Sequence, residues 1–311
     1  MKRFIVMTLA AVMGAALPAP AADDVAPPAM PHRDIAPPKD PPRGETVNLK
    51  DGDIAFTLFL PAGWQVPPTG ETPLTVHFHG AAWFAIDEHL RHGLSTPLLA
   101  AYLGEGSSVY QKPFADRERF DRWLQLAVQA LRERGAPANT RISAVDVTSF
   151  SAGYGAVREL LKSPKYSELI RRIVLSDSMY ASLAEGSNAP VETPYGIFRQ
   201  PARDQIDVWV PFARAAARGE KTFVLTVSEV PTAGYASSGE CAAALIRELN
   251  APVTVIAPLS SAAASDPDFP LKFRADLGNF HIWGYGGTNA QAHMNQVRHM
   301  ADVWLALDAR K

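Results

Sequence analysis

Alternation is the first regularity in the chain. Ile54, Phe56, Leu58 and Leu60 recur every second residue in DIAFTLFLP, the period of a strand with one buried face. The segment ETVNLK precedes it across Asp51-Gly52, a strong turn signal, so the two predict an antiparallel edge. PLTVHFHG is nearly continuous in apolar residues and ends at Gly80, as a buried strand would, and STPLLAAYLG is a weaker candidate for the next. The period then changes. In RERFDRWLQLAVQALRERG, Phe120, Trp123, Leu124, Ala127, Val128 and Leu131 recur at three- and four-residue spacing, and Gly135 ends the run. Strand and helix alternate from there. RISAVDVTSF, IRRIVLSD, KTFVLTVSE and GNFHIWGYGG read as strands, and PVTVIAPL as a short apolar segment. GAVRELLKS, IDVWVPFARAAARGE and SGECAAALIRELN read as helices, and AQAHMNQVRHMADVWLALDAR as one long terminal helix. Helices of crossover length between strands predict an α/β fold, a mostly parallel sheet covered on both faces.

The two ends read differently. Lys2 and Arg3 precede an apolar run from Phe4 to about Leu17, and Ala19-Pro20-Ala21 supplies small residues for a signal peptidase. Residues 1–21 are therefore expected to be a signal peptide, which places the mature protein in a bacterial periplasm or outside the cell. The run is short for a membrane span and nothing later supplies one, so no stable membrane insertion is expected after cleavage. Residues 22–44 are crowded with paired prolines and predict a flexible segment, and His32 within it is assigned no chemistry. Residues 45–311 are enough for one catalytic-sized domain. With 30 basic against 32 acidic residues, nothing suggests a polyanion-binding surface, and nucleic acid is not an expected partner. The single cysteine, Cys241, excludes an internal disulfide, and it lies too far downstream for a lipid anchor at a signal-cleavage site.

Candidate chemistry concentrates in VTSFSAGYG, residues 147–155. A tight strand-to-helix turn that lifts a serine out of a sheet needs small residues two before and two after it. Centred on Ser151, those positions are Ser149 and Gly153; centred on Ser149, one would be Val147, which is too large. The register selects Ser151 as nucleophile. Gly155 is read as the residue that lets the new helix pack closely on the sheet.

A serine hydroxyl needs a base. Of the eight histidines, His89 and His92 lie near a predicted helix end and read as solvated. In a sheet of this kind the base is expected after the last strand, and His293 fits. It lies four residues before Val297, on the side that also carries Ala301 and Trp304, whereas His299 points elsewhere. His281 is the alternative. For the acid, Asp177 follows the strand RRIVLS and is preferred, with Glu229 at the end of KTFVLTVS as the alternative. Oxyanion donors are expected from the backbone N–H of Ala152 and from Ala81 or Ala82 after HFHG. His79 is then read as a loop-orienting residue, and Trp83 as a possible pocket wall. His77 and His79 could chelate at i,i+2, but no third ligand accompanies them, so neither a metal nor any other cofactor is expected.

VHFHGAAW is similar to the oxyanion-loop motif H-G-G-G of many esterases, and SFSAGYG is similar to a nucleophile elbow. Together with the order Ser151, Asp177, His293, they make the chain resemble an α/β-hydrolase from about Leu49 to Leu307. The resemblance implies a mostly parallel eight-stranded sheet with helices on both faces, and hydrolysis of an ester, amide or thioester. The acid, as Asp177, would follow the sixth strand, as in some lipases. The leading expectation is an exported serine esterase acting on a small-molecule or acyl-ester substrate. An amidase or peptidase acting on cell-envelope or peptide material, and a non-catalytic hydrolase-like binding protein, are the alternatives. Tyr180, Tyr195, Phe198 and Trp209 could line a small lid or belong to the core.

Overall fold

The computed structural model describes Met30 and residues 32–186, 189–256 and 266–308; the expected signal peptide lies outside the described residues. The early hairpin forms as the alternation predicts, β1 (Gly44–Asp51) pairing antiparallel with β2 (Ile54–Pro61). Then come β3 (Glu71–Phe78), β4 (Leu98–Ala101), β5 (Arg141–Phe150) and β6 (Ile170–Ser176). A separate two-stranded ribbon, β7 (Val191–Thr193) with β8 (Gly196–Phe198), follows. The main sheet is completed by β9 (Thr222–Val227), β10 (Val253–Val255), β11 (Leu271–Leu277) and β12 (Phe280–Tyr285). Its order is β1-β2-β4-β3-β5-β6-β9-β12-β11-β10, and the run from β4 to β12 is parallel.

The sheet thus has ten strands, not the eight that the resemblance implies. The strand passed over is β11: Phe273, Ala275 and Leu277 alternate with Lys272, Arg274 and Asp276, and Gly278-Asn279 turns the chain back into β12. Only a short apolar segment was visible in PVTVIAPL, and it supplies β10 as the far edge.

Ten α-helices occur among the described residues, besides a single 3-10 turn at Ser151–Gly153: α1 (Ala82–Arg91), α2 (Ser108–Phe114), α3 (Arg119–Arg132), α4 (Tyr154–Leu161), α5 (Pro164–Leu169), α6 (Arg203–Asp207), α7 (Val210–Ala217), α8 (Ser238–Leu249), α9 (Ala290–Arg298) and α10 (Met300–Asp308). Period-two alternation within the parallel strands buries both faces. Ile173 and Leu175 of β6 join a large core with Trp123 of α3, Val157 of α4, Phe212 of α7 and Leu245 of α8. Val174 between them joins a smaller core with Trp283, Val303 and Trp304. The helix read as IDVWVPFARAAARGE is divided into α6 and α7, the second starting with Pro211 in its first turn. The long terminal helix is also divided, at His299. That imidazole is fully buried between Asp266 and Asp302, at 3.0 and 2.9 Å. No helix among the described residues is long and apolar enough to cross a membrane.

The described part of the proline-rich segment is docked on the domain. Met30 is buried in the smaller core, its carbonyl accepting from the Asp266 N–H at 2.6 Å, and Ile35 packs against Phe84, Phe150 and Val297.

Candidate active site

Three of the four non-glycine residues with left-handed backbone among the described residues are His79, Ser151 and Asp177, with φ of 70, 46 and 44°. They follow β3, β5 and β6 directly, at the carboxyl edge of the parallel sheet. L-residues adopt this conformation only where surrounding packing enforces it, and such strain gathers at functional sites. Here it turns three successive strand ends toward one another.

The turn at Ser151 is enforced by what surrounds it. A Cβ on Gly153 would lie 2.3 Å from the Phe78 carbonyl oxygen, so only glycine lets β5 leave this tightly beside β3. Ser149 is fully buried, and its hydroxyl meets that of Ser178 at 2.7 Å; Ser178 in turn donates to the Ser151 carbonyl at 2.9 Å. The small residue two before Ser151 thus also ties the turn to the segment that follows β6. Gly155 has a different role from the one expected: a Cβ there would meet the Ser107 carbonyl oxygen at 2.5 Å, so it admits the start of α2 rather than the sheet.

His293 lies in the first turn of α9, and its Nδ1 is 2.7 Å from Asp177 Oδ2. A carboxylate there requires the proton on Nδ1, which leaves the Nε2 lone pair available as a base. Asp177 is buried and is held further by the Ser228 hydroxyl at 2.5 Å and the Ser228 N–H at 3.3 Å. The Phe150 ring lies 4.6 Å from the imidazole, which sets His293 beside the residue that precedes Ser151. Among the described residues, Ser151 Oγ makes no hydrogen bond to His293 in this resting geometry; such bonds commonly tighten only with substrate bound.

The alternatives lie elsewhere. Glu229 is exposed, and its Oε2 accepts from the Gly287 N–H at 2.9 Å, which pins the turn after β12. His281 lies near the start of β12, away from the strand ends, and pairs with Asp276 at 2.6 Å. His89 and His92, expected to be solvated, are buried, at 4% and 8% exposure, because α1 folds onto the sheet beside α10.

Ala81 caps α1 and Ala82 opens it, directly after the Gly80 turn that follows β3; the Phe84 N–H already donates to the Ala81 carbonyl at 3.0 Å, and the amides before it are the ones such a helix start leaves without a helical acceptor. Ala152 occupies the matching position after Ser151. Behind the loop, His77 Nδ1 is 2.8 Å from the Thr148 hydroxyl and its Nε2 3.0 Å from the His79 carbonyl, while His79 Nδ1 is 2.9 Å from the Tyr110 hydroxyl. Burial pushes the His77 imidazole down to about 4. Burial also lowers His79, against an opposing pull from Glu105. Trp83 joins the Phe84–Phe150–Val297 cluster. Of the expected lid aromatics, Tyr180 lies 5.5 Å from Tyr154 and 5.7 Å from Tyr235, Tyr195 and Phe198 sit on the ribbon beside Phe273, and Trp209 is core. The sequence reading missed Ser228 and Ser178. Both are small polar residues at strand ends, in VSE and SDS, where a tie to an acid or a turn is needed.

No family model and no curated protein matches the chain. Solved structures do. An arylesterase is similar at 14% identity over 87% of each chain, TM-score 0.41. An α/β-hydrolase enzyme from a Medee basin deep-sea metagenome library is similar at 14% identity over 68% of this chain and 79% of its own, TM-score 0.37. Poly(aspartic acid) hydrolase-1 from Sphingomonas sp. KT-1 is similar at 12% identity over 62% of this chain and 74% of its own, TM-score 0.35. With TM-scores below 0.5 these likenesses carry no weight. The chain itself shows a largely parallel sheet flanked by helices on both faces, with strained turns at its carboxyl edge.

Proposed function

We propose that the chain is an exported serine hydrolase that cleaves a carboxylic ester through an acyl-enzyme on Ser151. The observation that carries this reading is the Asp177–His293 pair beside the strained Ser151 turn. Ser151 Oγ attacks the ester carbonyl carbon while His293 Nε2 takes its proton. The resulting oxyanion is held by the N–H of Ala152 and by an amide of Ala81 or Ala82. Collapse of the intermediate breaks the C–O bond, and the His293 proton goes to the leaving alkoxide. Water then attacks the acyl group, His293 takes its proton, and that proton returns to Ser151 as the acid leaves. Asp177 stays ionised throughout and holds the imidazole in the required tautomer. Export is supported by Lys2, Arg3 and the apolar run that follows.

A fluorophosphonate probe tests the nucleophile. The folded wild type should label and Ser151→Ala should not; a folded wild type that resists labelling sinks the proposal. A panel of p-nitrophenyl esters and aminoacyl anilides tests the bond, with turnover expected on esters.

A further inference from the structure

The segment before the domain has the composition of a linker, yet it reaches both sides of the site. The Arg33 guanidinium donates from Nη1 to Asp87 Oδ2 at 3.0 Å and from Nη2 to Glu88 Oε1, both on α1. The same Nη2 donates to the Arg298 carbonyl at 2.9 Å, at the last residue of α9. Glu88, 1% exposed, completes the tie through Oε2, which accepts from the Ala301 N–H at 2.7 Å just past the break between α9 and α10. One arginine therefore joins the helix that opens at Ala82 to the helix that carries His293. Two residues on, Ile35 covers the Phe84–Phe150–Val297 cluster, and the Phe150 ring of that cluster rests against the imidazole.

We propose that Arg33 and Ile35 are positioning residues of the active site, holding the oxyanion loop and His293 in register. The inference rests on the serine-hydrolase reading. A planar guanidinium can meet two carboxylates and a carbonyl at fixed angles, whereas an ammonium on a flexible stem cannot hold all three in one geometry. Glu88 has almost no solvent to fall back on, so loss of Arg33 leaves its buried carboxylate with only Arg91 Nε at 3.5 Å as a cation, a partner on α1 itself that does not reach α9. Cleavage after Ala21 would keep both residues in the mature chain.

The test uses the full mature chain, well below its melting temperature. Arg33→Ala should lower the second-order rate of fluorophosphonate labelling roughly 10- to 100-fold, the size expected when catalytic groups shift by about an ångström. Arg33→Lys should fall between. Ile35→Ala, which leaves the Glu88 charge paired, should slow labelling several-fold. Amide exchange in Arg33→Ala should accelerate at residues 84–91 and 293–298. Labelling of Arg33→Ala at the wild-type rate, or exchange changes confined to residues 30–36, overturns the proposal whatever happens to Tm. Should Arg33→Ala not fold, wild-type labelling rates in both Arg33→Lys and Ile35→Ala overturn it equally. A wild type that fails to label instead removes the hydrolase reading, and the exchange measurement still decides whether Arg33 couples the two helices.

Discussion

On the proposed serine-hydrolase reading, Asp177 is the residue on which the site's chemistry turns. It receives His293, the Ser228 hydroxyl and the Ser228 N–H, and its own backbone is held left-handed by the Asp177 N–H bond to the Thr226 carbonyl at 2.8 Å. An asparagine there could present its NH2 to Nδ1 and favour the wrong imidazole tautomer. Asp177→Asn is therefore expected to lower kcat on a p-nitrophenyl ester by about 10³–10⁴ with little change in fold. Ser228→Ala removes one hydrogen bond to the carboxylate and should cost about tenfold, the rate equivalent of one such bond. Glu229→Gln keeps an oxygen for the Gly287 N–H and should leave turnover near wild type. Near-normal kcat in Asp177→Asn, or a collapse in Glu229→Gln, would move the acid to the other carboxylate.

Between elements, one tight constraint lies where α4 begins. Gly155, its second residue, lies under the Ser107 carbonyl that opens α2, with no room for a methyl group. Gly155→Ala should destabilise by about 1–3 kcal/mol as an overpacked contact, read as a lower urea midpoint at unchanged slope. An unchanged midpoint would mean that α2 yields freely. Which glycine faces what was not legible in VTSFSAGYG, because the partner is set by tertiary placement. Legibility followed the same line elsewhere. Strands β5, β6 and β9 and helix α3 were readable because hydrophobic period and punctuation agree there. The break at His299 was not: no Pro or Gly marks it, and it arises from contacts with Asp266 and Asp302. The placement of Ser151 and Asp177 at strand ends and of His293 at a helix start was legible. Arg33 was not, since its acceptors lie on α1 and α9, far along the chain.

For the molecule as a whole, the histidines that α1 and β3 carry inward make stability depend on acidity. His77 is 1% exposed and His89 4% exposed, and burial pushes each imidazole down to about 4. In His89 the bond from Nε2 to the Thr96 carbonyl at 2.7 Å opposes that fall without reversing it. In the unfolded chain both would titrate near 6.5. Above pH 6.5 neither state carries these protons and the groups make no pH-dependent contribution. As pH falls from 6.5 toward 4, the unfolded chain takes up protons that the fold refuses, so stability falls by up to about 1.4 kcal/mol per pH unit for each histidine. Below about 4 the folded state protonates as well, and this part of the slope ends. Carboxylates titrate near that window too, so a comparison isolates one imidazole. His89→Gln can still donate to the Thr96 carbonyl but does not titrate. Urea unfolding of the wild type and this variant at pH 7, 6 and 5 should give free energies that converge as pH falls, by up to about 1.4 kcal/mol per unit below 6.5. A difference constant across that range would mean that His89 accepts its proton inside the fold as readily as in water.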